Sequence, residues 1–364
     1  MSAIAIKAVG AITSVGEDAP ATVGSIFTEA QALEGFPVED ADESPAGAAT
    51  PIPGTVKGVD RLVALGGFAL REATSGLAKG TEIGLVACVP SDKDEPGLVG
   101  QISSFLSRLA TESDLTMAPR VSCVFGADPS ATIEALLFAR ATLQARSLSA
   151  VCVLGVDSLV SSSRQKKALR NGSILAEGLV PGEAAAAILL DGRPGPDSLA
   201  ILAGVGMANE PSLGAQPAGP NLGKGINSAI DRVVADAKLP NALFAALVHD
   251  LPSSQAGFAE LAWVKGCPSL RTSPEVHIVS PTFSTGATGA ASGVLSLVTL
   301  AFLIEKKVIA DPGLCLFAAE SRGEPASFAG GVPSRGGMGT LRGSPSQRGV
   351  AILTPPPHRK VARR

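Results

Sequence analysis

The sequence predicts an α/β protein built from two similar halves, in which parallel-rich sheets are covered by helices. Apolar strand-like runs alternate with helical segments along the 364 residues, and their order repeats in the second half of the chain. The link Gly192–Ser198, dense in glycine and proline, separates the two sets. We therefore divide the chain into residues 1–193 and 194–364.

In the first half, Arg61–Leu77 carries apolar residues at helical spacing and is followed, after a turn, by the strand Ile83–Val89. A second helix, Ser130–Ala145, is rich in alanine and leucine and leads into the strand Val151–Leu154. The apolar strand Ala184–Leu190 closes this half.

The second half has the same order of elements. The helix Ile226–Ala237 precedes the strand Leu243–Val248, and the helix Ala290–Ile304 precedes the strand Leu314–Ala318. The strand Gly349–Leu353 closes the half, as Ala184–Leu190 does in the first. A repeat of this length organises the whole fold.

The stretch from Val151 to Asp191 indicates the middle of a large sheet. Val151–Leu154 reads as a strand buried on both faces, and Gly155–Ser158 as a polar turn after it. A basic segment follows, and Gly178–Glu183 then leads into the next apolar strand. We expect a loop above the sheet between these two strands.

Composition excludes several classes of function. A net charge of -3 gives no basic surface for nucleic acid. The five cysteines are odd in number, widely spaced and without a CxxC pair, which favours a reduced, cytoplasmic protein. None of the three histidines is paired at ligand spacing, so we expect no metal and no other cofactor.

Two further segments bear on localisation and on loops. Gly286–Ile304 is almost uncharged and long enough to span a membrane, but its first half is small and polar, and we predict a helix buried inside the protein. The N-terminus lacks the pattern of a signal peptide. Glu320–Pro345 reads as a long loop rich in glycine, serine and proline.

Three stretches in this order resemble the β-ketoacyl synthase branch of the thiolase-like superfamily. Ile4–Gly16 resembles its opening strand and turn, Gly178–Glu183 its Gly-Phe-Val-Pro-Gly-Glu segment, and Thr285–Gly293 its Gly-His-x-x-Gly-Ala-Ala-Gly segment. The resemblance implies a five-layered αβαβα thiolase fold whose halves are related by a pseudo-twofold axis. It also implies a homodimer or heterodimer through the edge of a central sheet, and an acyl carrier protein or acyl thioester as partner.

The family's nucleophile is a cysteine at the start of a buried helix, and the matching position here is Ser130. A serine hydroxyl needs an adjacent base to act as a nucleophile. Ser130 and the preceding Asp128-Pro129 are also typical helix-capping residues, and capping alone explains them. The nearest cysteine, Cys123, lies in a strand-like run and is predicted to be in the core.

His249 matches the family's first active-site histidine, because it ends a predicted strand and lies at the family's distance from Glu260. The Gly-Thr turn that follows in the family is replaced here by Asp250–Ser254. His249 is therefore either a functional residue at the end of a strand, where α/β sheets bind ligands, or a structural one.

The remaining family groups are exchanged for residues without acidic or basic side chains. Gly286, or Ala287 with a shift of one residue, stands at the second histidine, and Pro281 stands at the lysine. Near the C-terminus, Gly337 and Gly339 belong to a glycine-rich loop that could present backbone amides to a substrate, as the family's oxyanion loop does.

Three interpretations follow. In the first, a ketosynthase-like protein has lost its Cys-His-His machinery and binds an acyl chain, an acyl carrier or a partner ketosynthase without condensing activity. In the second, Ser130 and His249 form an acyltransferase or thioester hydrolase. In the third, the protein is structural and its cleft is occluded. We rank the first above the third, and the third above the second.

Overall fold

In a computed structural model, the described residues form a mixed α/β fold around a large sheet; they are 3–31, 34–35, 46–52, 56–90, 95, 98, 101–126, 131–160, 180–210, 223–251, 255–318, 340–341 and 347–357. The helices are α1 (Ala19–Phe27), α2 (Gly58–Thr74), α3 (Ile102–Glu112), α4 (Ala131–Gln144), α5 (Lys224–Ala237), α6 (Gln255–Lys265), α7 (Thr282–Thr285) and α8 (Ser292–Glu305). The strands are β1 (Ile4–Thr13), β2 (Glu34–Gly35), β3 (Ala46–Gly47), β4 (Glu82–Val89), β5 (Thr116–Met117), β6 (Cys123–Gly126), β7 (Ala150–Ser158), β8 (Glu183–Asp191), β9 (Ala200–Asn209), β10 (Leu243–His249), β11 (Arg271–Val279), β12 (Gly313–Ala318), β13 (Thr340–Leu341) and β14 (Gln347–Thr354).

The order of strands repeats outward from the middle of the sheet. One side runs β1-β8-β7-β4-β6-β13, and the other runs β9-β14-β12-β10-β11. In both halves the two inner pairings are antiparallel and the next two are parallel. This correspondence confirms the internal repeat predicted from the sequence. In the sheet the two sets meet where β1 pairs with β9, and Gly192–Ser198 connects β8 to β9 along the chain. The strand β13 comes from the second half of the chain but pairs with β6 of the first set.

Three apolar clusters define the layers of the fold. The central cluster joins α4 and α8 to strands of both halves, with Ile133, Leu297, Ile188 and Val248 among its members. A second cluster packs α2 and α3 on the outer face of the first half, and a third packs α5 and α6 on the outer face of the second. The two sides of the large sheet therefore act as two layers, with helices between them and on both outer faces. This order confirms the predicted five-layered arrangement.

The helix α8 lies in the middle layer and is buried nearly all round. Of its residues, only Phe302 and Glu305 are not fully buried. This explains the uncharged, apolar composition of Gly286–Ile304. Among the residues that the structure describes, no helix combines the length and the apolar character needed to cross a membrane.

Two carboxylates accept hydrogen bonds from strand amides beside the contact between the two halves. β1 and β9 pair only over Ile4–Ile6 and Ala200–Leu202, and beyond this contact their amides need other partners. Glu72 on α2 accepts from the Ala11 amide of β1 at 2.9 Å. Asp236 on α5 accepts from the Val205 amide of β9 at 3.0 Å and from the Arg140 guanidinium of α4 at 2.5 Å.

The structure extends the predicted strand Val151–Leu154. Gly155–Ser158 is not a turn but the end of β7, and it is buried throughout. The strand continues because Asp157 and Ser158 find buried hydrogen-bond partners, which periodicity alone does not show. Alternation places Gly155 and Asp157 on the face of β7 that packs against the central helices.

Candidate functional site

The segment Thr285–Ser292, which leads into α8 and ends at its first residue, is named the α8 head. It lies over the end of β7, where Gly155 leaves no space for a side chain. A Cβ at this position would lie 3.0 Å from Val294 Cγ2 and 3.1 Å from the Ala290 carbonyl oxygen. The close approach brings the end of the strand and the start of the helix together, at the place where the resemblance puts the reacting groups.

The structure describes part of the predicted site. Ser130 directly precedes the first residue of α4, Ala131, but lies outside the described residues, as do Gly337 and Gly339. The roles assigned to these three residues stay predictions. Cys123 lies in β6 and is buried, as expected for a core residue.

Gly286 and Ala287 make backbone contacts in the α8 head. The Ala287 amide donates to the Val180 carbonyl at 2.7 Å, and the Gly182 amide donates to the Ala287 carbonyl at 2.9 Å. Gly286 has φ +71, and a Cβ on it would lie 2.7 Å from the Val180 oxygen. Only glycine satisfies both conditions, so an imidazole has no room at this position.

Gly182, which lies across the backbone hydrogen bonds from Gly286 and Ala287, also has no space for a side chain. A Cβ there would lie 2.0 Å from the Thr285 carbonyl oxygen. The predicted lysine position, Pro281, serves as the N-cap of the short helix α7. This part of the α8 head therefore offers a ladder of backbone hydrogen bonds, at the positions that the sequence analysis compares with the family's second histidine and lysine.

Glu183, the first residue of β8, directly follows Gly182 and holds this end of the backbone ladder in place through its side chain. Its carboxylate accepts from Arg61 Nε at 2.6 Å, from the Thr50 amide at 2.8 Å and from Ser158 Oγ at 2.7 Å. Burial raises the pKa of Glu183, but the hydrogen bonds and the charge of Arg61 outweigh it, so that the net pKa is lowered. The fully buried group therefore stays ionised and ties β8 to α2 and to the segment around Thr50.

Two more buried carboxylates contact the α8 head itself. Asp157, at the end of β7, accepts from the Ala290 amide at 2.9 Å. Asp250, which follows β10, accepts from Ser292 Oγ at 3.1 Å. Sequence reasoning missed both residues, although each is an acidic residue at the end of an apolar run, the one signal that could have found them.

His249 lies on the opposite face of β10 from Asp250. Ala246 and Val248 pack in the central cluster and Leu247 in the outer one, so alternation directs His249 toward α6. Burial and, to a smaller extent, the positive charge of Lys265 on α6 together lower the pKa of His249 to about 4. The ring is therefore neutral near pH 7.

Glu260, the family's later glutamate, is held in an ion pair. Arg348 of β14 donates to its two carboxylate oxygens at 2.5 and 3.1 Å, and both side chains are buried. Glu260 thereby joins α6 to the sheet. The spacing between His249 and Glu260 thus reflects shared packing in the outer layer of the second half.

All five cysteines of the chain are free and buried. Burial raises the pKa of Cys123 and of Cys152 to about 12. It also raises the pKa values of Cys88 and Cys267, and that of Cys315, where the negative charge of Asp250 adds to the effect. A nucleophilic cysteine requires the opposite shift, so none of these thiols is activated.

The backbone contact predicts a severe cost for any side chain at position 286. Gly286→Ala should lower the free energy of unfolding by about 2–4 kcal/mol, because it adds left-handed strain to a clash with Val180. Gly24→Ala is the matched control: it lies in α1 with nothing within 4 Å of the added Cβ, and it should stabilise by about 0.5–1 kcal/mol. Urea denaturation measures both values. Equal effects of the two substitutions would contradict the close contact.

The buried imidazole predicts a loss of stability in acid. The pKa of His249 falls from 6.5 in the unfolded chain to about 4 in the folded one. Between these values only the unfolded state is protonated, so the free energy of unfolding should fall by up to roughly 3 kcal/mol from pH 6.5 to pH 4. Denaturation curves of His249→Gln should show a shallower fall than the parent protein.

The exposed His277→Gln is the control for this experiment and should keep the parent slope. Carboxylates titrate in the same range in all three proteins, so the difference between variants isolates the histidine. An unchanged slope in His249→Gln would show that its ring is solvated in the folded protein.

Solved structures share this fold over nearly the whole chain. The ishigamide ketosynthase/chain length factor matches with a TM-score of 0.70 at 14% identity, over 98% of this chain and 100% of that one. A type II polyketide ketosynthase, solved with its acyl-carrier protein and bound to the hexaketide, matches with a TM-score of 0.72 at 13% identity, over 97% and 99%. A β-ketoacyl synthase from Burkholderia phymatum STM815 gives 0.67 at 14%, over 98% and 100%.

At the level of sequence, no protein-family model and no curated protein matches the chain. The structural likeness, at these identities, concerns the fold. It confirms the fold that the motifs predicted: the chain shares the fold of these ketosynthases and chain length factors.

Proposed function

We propose that this chain is a ketosynthase-like protein without condensing activity, which binds an acyl chain, an acyl carrier or a partner ketosynthase. A fold alone does not determine activity, so the proposal depends on the site. The observation that carries it is the state of the thiols: every cysteine is buried with a raised pKa, and none begins α4.

The α8 head supports the same conclusion. Condensation needs groups that stabilise negative charge as it develops on the thioester. At Gly286 and Ala287 the backbone is paired with Val180–Gly182, and two carboxylates, those of Asp157 and Asp250, contact the α8 head. Acidic groups at this point oppose developing negative charge.

The partners are proposed from the structural neighbours. One neighbour is a ketosynthase/chain length factor, and another is a ketosynthase in complex with its acyl-carrier protein. We propose by analogy a homodimer, or a heterodimer with another ketosynthase-like chain, and an acyl carrier as the source of the acyl group. A cytoplasmic location remains part of this proposal.

The proposal is tested by incubating the purified chain with hexanoyl- and malonyl-carrier proteins. We expect carrier binding by native mass spectrometry, no ketoacyl product, and no covalent acyl adduct on the chain by intact mass. A ketoacyl product, or an acyl group on any cysteine, would contradict the proposal.

The same assay separates the alternatives. An adduct that disappears in Ser130→Ala, but persists in the exposed-serine control Ser104→Ala, would support the serine-dependent acyltransferase or hydrolase. Failure of the chain to bind either carrier, or the matching acyl-pantetheines, would support a structural protein with an occluded cleft.

A further inference from the structure

We propose that the α8 head accepts uncharged acyl groups and rejects those that end in a carboxylate. This inference rests on the proposed acyl-binding function and adds a substrate class to it. The discrimination comes from Asp157 and Asp250, which lie within hydrogen-bond distance of the Ala290 amide, just before α8, and of the hydroxyl of Ser292, its first residue.

The donors at this helix start are already in use. The Ala290 amide donates to Asp157, and the Ser292 amide donates to the Gly289 carbonyl. Ser292 Oγ lies 3.0 Å from that carbonyl oxygen and 3.1 Å from Asp250 Oδ2, and it can donate to either. A helix N-terminus normally attracts an anion through such groups. Here the chain supplies the anions itself, so a ligand carboxylate would have to displace one of them.

The negative charges of Asp157 and Asp250 also oppose the binding of a ligand carboxylate. Asp157 is 2% exposed and Asp250 8%, so both carboxylates are shielded from water, which strengthens their repulsion of a third negative group. The negative charge of Asp250 adds to burial in raising the pKa of Cys315. A terminal carboxylate of an acyl group near Ser292 would meet this field at short range.

A separate observation indicates what the site can bind. Thr288, at the start of the α8 head, is 1% exposed, and its Oγ1 has no hydrogen-bond partner among the described residues. A buried hydroxyl without a hydrogen-bond partner lowers the free energy of unfolding unless a ligand or a water accepts its hydrogen bond. The carbonyl oxygen of an acyl thioester can accept a hydrogen bond from this hydroxyl.

The experiment compares two pantetheine thioesters of nearly the same shape. Isovaleryl-pantetheine ends in two methyl groups where malonyl-pantetheine ends in the two oxygens of a carboxylate. Isothermal titration of the full chain should show the isovaleryl compound binding at least tenfold more tightly. Equal binding of the two would overturn the inference and leave the proposed acyl-binding function standing.

Variants assign the discrimination to the named residues. Asp250→Asn should tighten malonyl binding several-fold and leave isovaleryl binding within twofold, while Thr288→Val should weaken isovaleryl binding several-fold. The control Asp197→Asn, a surface residue paired with Lys7, should behave as the parent. If Asp250→Asn does not fold by thermal melting, Asp157→Asn replaces it.

The outcomes of the experiment are distinct. A preference for isovaleryl-pantetheine that neither aspartate variant reduces would overturn the assignment to these residues. No binding of either compound would overturn the proposed acyl-binding function, and this inference with it.

Discussion

The backbone contact between the α8 head and Val180–Gly182 determines what this site can hold. Two glycines face each other's backbone across it, and a Cβ would lie 2.0 Å from an oxygen at Gly182 and 2.7 Å at Gly286. The ladder continues outward through Ala48, whose amide donates to the Pro181 carbonyl at 2.8 Å. Main chain therefore fills the space around Gly286, and a larger side chain at this position would require the neighbouring segments to move.

Buried ion pairs fix this arrangement from the surrounding elements. Arg61–Glu183, Arg140–Asp236 and Arg348–Glu260 each join a helix to a strand or to another helix, and each is almost completely buried. Removing one partner of such a pair commonly costs about 3–5 kcal/mol, because the other charge stays buried. Their main effect is thus on which elements can pack together. Arg140–Asp236 joins a helix of the first half to a helix of the second, and the other two pairs each lie within one half.

The repeated order of strands and helices was predictable, because long apolar runs determine both. The predicted helix Arg61–Leu77 corresponds to α2, and the predicted strand Ala184–Leu190 lies within β8. The strand β9 was not recognised, since Gly204 and Gly206 interrupt its apolar pattern; these glycines let α5 approach, and a Cβ on Gly206 would lie 2.3 Å from the Ala229 oxygen. The contacts of Asp157 and Asp250 depend on residues more than forty positions away, which no local pattern records.

The central claim is that the chain has the fold of the ketosynthases but no activated cysteine thiol. The most direct measurement is the alkylation of the native protein by iodoacetamide, followed by intact mass across pH 6 to 9. Buried thiols with raised pKa values predict no modification of any of the five cysteines until the protein is unfolded. Rapid alkylation of one cysteine at pH 6, where only an activated thiolate reacts, would contradict the account.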